Sequence, residues 1–178
     1  MTPSEIIEQV KRRFDVLYYS DPADLDAMMA DSLGAYEDRA GALKSVSIAD
    51  PDTSIEKPED CLSVVATSDG CGRYIDFDDS GENITISGFV VYPVKAQYLV
   101  KFRAYDFNTK LPSGSIGLIT EHFAANLALR NTRRERNVVL AAGLQRELPS
   151  DETLQARIDA VELSMEESRA IIPMITVV

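Results

Sequence analysis

The chain has 178 residues, 45% apolar and 26% charged, the proportions of one globular domain or of a small core carrying an insertion. A fully disordered chain is excluded, and no run of eighteen apolar residues exists to form a membrane-spanning helix. Eighteen Lys/Arg against 29 Asp/Glu leave a net charge of -11, which argues against wrapping nucleic acid, because phosphate binding needs a basic footprint.

The charge is unevenly placed: residues 1–89 carry -12 and residues 90–178 carry +1. Such a surface serves solubility, mimics DNA, or lines a channel along which DNA slides without sticking. Met1-Thr2-Pro3-Ser4-Glu5 has neither the basic nor the apolar region of a secretory signal, so the chain is expected to stay where it is made. Cys61 and Cys71, with a single histidine in the chain, make neither a disulfide framework nor a zinc site and read as small residues in a reducing compartment.

The first helix is announced by Thr2, Pro3 and Glu5, a T-x-x-E capping box with proline at the first helical position. Ile6, Ile7, Val10, Phe14 and Leu17 then recur at helical spacing. Ser20-Asp21-Pro22 ends this helix and caps a second, whose stripe is Leu25, Met28, Met29, Leu33, Tyr36, Ala40 and Leu43. The short connection makes the two antiparallel neighbours.

From about Ser45 to Tyr105 the pattern turns to strands and turns. Leu62–Thr67 reads as a strand, Ser68-Asp69-Gly70 as a turn, and Arg73–Phe77 as the returning strand. Asp78-Asp79-Ser80-Gly81 is a second turn, followed by Asn83–Ser87. The clearest alternation is Ala96, Tyr98, Val100, Phe102 and Ala104 on one face. Helical pattern resumes after Leu111-Pro112 with Ile116, Ile119, Phe123, Leu127 and Leu129. Asn131-Thr132 reads as a break or cap before a further segment through Val138, Val139 and Leu140 to Gly143. Pro149-Ser150-Asp151-Glu152 starts the last helix, with acids where the helix dipole favours them and a stripe of Leu154, Ile158, Val161 and Met165.

Three features invite a functional reading. Asp76, Asp78, Ser80 and Gly81 sit at positions one, three, five and six of a calcium loop, but Ser87 stands where the bidentate glutamate belongs, so a hairpin turn is the better account. His122 lies beside Glu121, yet adjacent helix positions point apart and no nucleophile elbow or phosphate loop accompanies them; a structural histidine is expected and no enzyme. Arg130, Arg133, Arg134 and Arg136 place four guanidinium groups within seven residues, with Arg130, Arg133 and Arg134 expected to project together. They form either a docking patch for an acidic partner or phosphate, or a solvated helix end paired with Glu135 and Glu121.

The last eight residues are seven-eighths apolar and uncharged, an unusual segment to leave in water. Either Ile171, Ile172, Met174, Ile175, Val177 and Val178 fold back on their own bundle, or they form an extended arm that inserts into another subunit, by sheet-edge addition for example.

Taken in order, MTPSEIIEQVKRRFDVLYYSDPADLDAMMADSLGAYEDRAGALKSVSI, the strand insertion, LPSGSIGLITEHFAANLALRNTRRER and ELPSDETLQARIDAVELSMEESRAIIP with its aliphatic tail resemble the head-to-tail adaptor (head-completion or neck) proteins of tailed bacteriophages. The resemblance runs over nearly the whole chain; the size of the strand insertion departs from the usual helical adaptor. It implies a structural virion protein, assembled in the host cytoplasm, that forms a ring, commonly twelvefold, beneath the portal. Its partners would be the portal protein, neighbouring adaptor subunits and a tail-side neck or tail protein, with DNA passing through the channel unbound, and no membrane or cofactor. The arm would be Ile171–Val178, gripping the portal, and the arginine cluster is assigned an additional portal contact. Twelve copies would carry on the order of -130 charges, so that a lumen lined by part of them repels DNA.

The expected fold is α+β: a mainly helical bundle of four to five helices with an inserted antiparallel β meander. Residues 1–45 form the N-terminal helical hairpin, 46–110 the β-rich insertion, 111–170 the C-terminal helices and 171–178 the arm. The alternative function is an acidic DNA-mimic inhibitor of a nucleic-acid enzyme, its track lying within residues 50–82, which hold ten acids and two bases. A soluble scaffolding subunit of some other assembly is a third possibility.

Overall fold

Both N-terminal helix starts form as their sequences dictate. In α1 (Pro3–Lys11), Thr2 Oγ1 accepts from the Glu5 N–H at 3.2 Å while Glu5 Oε2 accepts from the Thr2 N–H at 2.8 Å. In α2 (Pro22–Arg39), Asp21 Oδ1 accepts from the N–H groups of Ala23 and Asp24. These bonds satisfy donors that a helix start otherwise leaves open. The computed structural model describes residues 1–49, 54–79, 81–86 and 90–170.

The architecture is α+β. Contacts divide the chain into a helical unit, Met1–Ala40 with Tyr105–Arg169, and a strand unit whose main body is Gly41–Ala104. In the helical unit, α3 (Ile116–Ala141) packs against α1, α2 and α4 (Asp151–Glu167). Its core includes Ile6 and Val10 from α1, Leu25, Met29 and Leu33 from α2, Ile119, Phe123 and Leu127 from α3, and Met165 from α4. Each such side chain contributes roughly 1.5–3 kcal/mol by leaving water. Ser150 caps α4 by accepting from the Thr153 N–H, and Ile158 packs with Ala125, Leu129 and Leu154, as the stripe requires.

Several boundaries differ from the periodic reading. α1 stops at Lys11, so Phe14 and Leu17 are not helical. α2 stops at Arg39: Gly41, at φ +67, leaves the helix in a left-handed conformation that glycine adopts without steric cost. Leu43 therefore opens strand β1 (Leu43–Ile48) instead of closing the helical stripe. Asn131-Thr132 does not break α3, which runs unbroken for 26 residues, about 39 Å at 1.5 Å per residue. Four α-helices result among the described residues.

The strand unit is antiparallel throughout but is two sheets of three strands, not one meander. β6 (Val94–Val100) is the centre of the first, with β1 and β3 (Cys61–Ser68) on either side. The expected alternation is real: Val94, Ala96, Tyr98 and Val100 are buried. The strand ends there, however, and Ala104 is exposed. The second sheet is β2 (Ser54–Glu56), β5 (Asn83–Ile86) and β4 (Phe77–Asp78), in the order β2-β5-β4. The expected return strand from Arg73 shrinks to one bridge, Ser68 to Tyr74, plus β4. Asp69 is the reason: its buried Oδ1 accepts from the N–H groups of Cys71 and Arg73, holding that backbone in a turn.

Candidate functional site

Positions 130, 133 and 134 are neighbours on the helix surface, but the four arginine side chains take different partners. Arg130 Nη1 donates to Tyr19 Oη at 3.2 Å, and the Arg134 guanidinium lies 4.6 Å from the centre of the Tyr19 ring. Arg133 Nε pairs with Asp151 Oδ2 at 2.8 Å, while Arg136 bonds Asp151 Oδ1 and the Pro149 carbonyl. These bonds from Arg136 and Arg133 hold the Asp151 carboxyl below its usual range. The acids expected as partners are engaged elsewhere: Glu135 with Arg146 at 2.7 Å, and Glu121 with Arg13 at 2.9 Å and Arg157 at 3.4 Å. Arg133 and Arg134 nevertheless keep more than half of their side chains exposed. The arm residues Ile171, Ile172, Met174, Ile175, Val177 and Val178 lie outside the described residues.

Asn131, read from sequence as a helix break, has a different task. It is buried, its Oδ1 accepts from the N–H groups of Tyr18 (2.7 Å) and Tyr19 (3.2 Å), and its Nδ2 donates to the Val16 carbonyl (3.2 Å). One amide thus serves three backbone groups of the α1–α2 connection, while Arg130 and Arg134 hold Tyr19 from the same helix.

His122 is buried between helices. Nδ1 lies 3.0 Å from Ser32 Oγ and Nε2 lies 3.4 Å from Glu162 Oε1, which is in turn on a carboxylate bonded by Arg39 at 2.6 Å. Serine, histidine and glutamate in a row have the outline of a nucleophilic triad. The surroundings deny it that use: Ser32 is fully enclosed, and its hydroxyl also lies 2.9 Å from the Met28 carbonyl, so no substrate carbonyl reaches it. Glu121, its sequence neighbour, takes no part.

Burial holds the His122 imidazole below its ordinary titration range; Glu162 and Asp31 oppose that shift and Arg39 adds to it. The folded chain therefore prefers neutral His122, and its contribution to stability is complete above the unfolded value of about 6.5. As pH falls below that value the unfolded chain binds the proton first, and stability is lost down to the folded pKa. We expect the melting temperature of the wild type to fall between pH 7.5 and 5.5, and His122→Gln to flatten this dependence. Parallel curves for the two proteins would refute it.

The calcium-like loop closes a hairpin. Phe77 pairs with Ile86 and Asp78 with Thr85, and the Lys57 ammonium sits 2.5 Å from Asp79 Oδ1 while donating to the Gly81 carbonyl. Ser80 and Ser87 lie outside the described residues. Among the described residues no three His, Cys, Asp or Glu side chains gather to hold a metal ion.

Sequence reasoning missed the far end of α3. Val138, Val139 and Leu140, expected as a helical segment to Gly143, are helical to Ala141, but Val138 and Leu140 are 48% and 75% exposed, and Leu144 just beyond is 63% exposed.

No protein-family model matches the chain, and no curated protein matches it in sequence.

Proposed function

We infer that the chain is a structural subunit of a phage connector: a ring beneath the portal that completes the head, extends the DNA channel and joins head to tail. The observation that carries this reading is the pairing of a strongly acidic chain, net charge -11, with an uncharged apolar end at residues 171–178. An acidic wall lets DNA pass without sticking, and an apolar end on such a chain calls for a protein partner. The portal is the proposed partner of the arm, with Arg133 and Arg134 as the members of the arginine cluster best exposed to assist. Neighbouring subunits and a tail-side protein complete the set.

The DNA-mimic alternative needs a track of free carboxylates, and the region proposed for it is partly engaged. Asp60 pairs with Lys44 at 2.5 Å and accepts from Tyr98 Oη at 3.1 Å; burial and this carboxylate push the Tyr98 hydroxyl up to about 12. Asp69 holds its own turn, and Asp79 takes Lys57 and the Val64 N–H.

Electron microscopy of lysates from phage with a nonsense codon in this gene tests the connector reading. Filled or leaking heads beside detached tails are expected, with infectivity abolished. Removal of residues 171–178 is expected to keep the protein folded but out of particles. Normal infectious particles from the nonsense allele would overturn the reading.

A further inference from the structure

The first sheet has two outer strands, and their outward sides differ. On β3 that side is closed by the chain's own residues. The Val64 N–H donates to Asp79 Oδ2 at 3.1 Å, the Ile75 N–H donates to the Thr67 carbonyl at 3.1 Å, and the Thr67 hydroxyl donates to the Ile75 carbonyl at 2.6 Å. A bridge from Ser68 to Tyr74 continues the cover. On β1 the outward side is open. Its residues pair with β6, from Leu43 with Leu99 to Ile48 with Val94, and the bond from the Val100 N–H to the Ala42 carbonyl, 2.9 Å, sets the phase. Alternate residues of an antiparallel ladder face the partner, so positions 42, 44, 46 and 48 bond β6, while the N–H and C=O groups of Leu43, Ser45 and Ser47 point away. Among the described residues none bonds these outward groups.

An open row of donors and acceptors is a template for an added strand. The side chains select an apolar one. Val46 and Ile48 are half-buried, whereas their β6 neighbours Ala96 and Val94 are fully buried, so the packed face of the sheet ends at β1 with its margin uncovered.

The end of α4 points to the occupant. Arg39, at the end of α2, pairs with Glu162 at 2.6 Å, and its carbonyl accepts from Arg169 Nε at 3.0 Å. The ends of α2 and α4 are thereby held side by side. Along the chain, β1 starts four residues after Arg39 and the apolar end starts two residues after Arg169. Two segments that leave from one place run naturally in the same direction. The six residues of β1 extend about 20 Å, and eight extended residues span about 26 Å, enough to follow it. Pro173 stops a helix, Ile175-Thr176-Val177-Val178 favours extended backbone, and no residue from Ile171 to Val178 carries a charge that would resist burial beside Val46 and Ile48.

We propose that residues 171–178 dock in parallel along the open side of β1 of their own chain, so that the first sheet of the free subunit gains a fourth strand. The tether gives the segment an effective concentration in the millimolar range, which the same segment of a second copy does not reach in dilute solution. The docking concerns the free subunit and does not rest on the connector reading; under that reading, the portal takes the arm from β1.

Residue-resolved amide hydrogen exchange on the full-length chain tests it, with the outward N–H groups of Leu43, Ser45 and Ser47 as probes. In the wild type they should be at least about tenfold better protected than in two variants. Ile175→Pro combined with Thr176→Pro removes donors at two successive arm positions, so one of them faces β1 in any register. Ser45→Pro blocks the edge itself, and because the Ser45 N–H points away from β6 the existing ladder keeps its bonds; Leu43 and Ser47 are then the probes. The inward amide of Val46 should stay protected in all three proteins. If Ser45→Pro exposes Val46, the sheet has opened and the arm variant alone decides. Protection of the outward amides should not change on dilution. Equal protection of these amides in the wild type and the arm variant would overturn the proposal. So would protection that rises with protein concentration alongside dimers in sedimentation velocity, which assigns the edge to a second copy. The outcome is separable from the phage experiment: arm-dependent protection with normal nonsense particles would sink the connector alone, and unprotected amides with defective particles the docking alone.

Discussion

Asn131→Ala should destabilise the protein by about 2–4 kcal/mol, far more than an exposed asparagine on a helix would cost. The side chain is 4% exposed and serves the N–H groups of Tyr18 and Tyr19 and the carbonyl of Val16. Removing it leaves three backbone groups in a partly buried segment without their partner, and each unsatisfied group costs about 1–3 kcal/mol less whatever water recovers. Asn131→Asp separates the components: it keeps the acceptor, removes the donor to Val16 and places a charge in a buried position. Urea unfolding of the two variants, with midpoint and slope both recorded, is the measurement. A loss under about 0.5 kcal/mol for Asn131→Ala would mean that the α1–α2 connection holds itself without the amide.

The second large effect belongs to Gly70. A Cβ there would lie 2.8 Å from the Tyr92 carbonyl oxygen, 3.0 Å from its carbon and 3.2 Å from the Pro93 nitrogen. All three are backbone atoms and none can swing aside. The same approach lets the Gly70 N–H donate to the Val91 carbonyl at 2.6 Å, so relieving the clash by separation weakens that bond. Gly70→Ala should therefore cost about 1–3 kcal/mol, the range for forcing a methyl group into filled space. Gly117 supplies the contrast. It is exposed within α3, with nothing within 4 Å of the position of a Cβ. Gly117→Ala should be neutral or stabilising by up to about 1 kcal/mol, because alanine loses less backbone freedom in a helix. Thermal unfolding of both variants decides the matter; equal losses would remove the steric explanation.

Legibility followed the range of the interaction. The Thr2–Glu5 box, the Asp21 cap and the Ser150 start are contacts within one turn, and their residue types announce them. The alternation of β6 was equally plain, because a half-buried strand repeats every second residue. Asn131 shows the limit. Its type favours caps and turns, and the local reading was a helix break. The groups it satisfies lie more than 110 positions away and leave no mark on its neighbours. The arginines failed in the same way: Glu121 and Glu135 were the near acids, while Asp151 and Tyr19, brought close by folding, became the partners.

By itself, the sequence determined the α+β class, the helix starts, the acidic surface and the uncharged apolar end, because composition, capping and periodicity are properties of short segments. Only the tertiary structure decided that the strands form two sheets, that α3 continues past Asn131, that the arginines divide into two pairs, and that Leu140 and Leu144 stand in solvent. Strand order, ion-pair choice and the burial of an apolar residue depend on which distant segment arrives beside it. A hydrophobic side chain declares a preference for leaving water, but only the packed chain settles whether its own fold or a neighbouring subunit provides the cover.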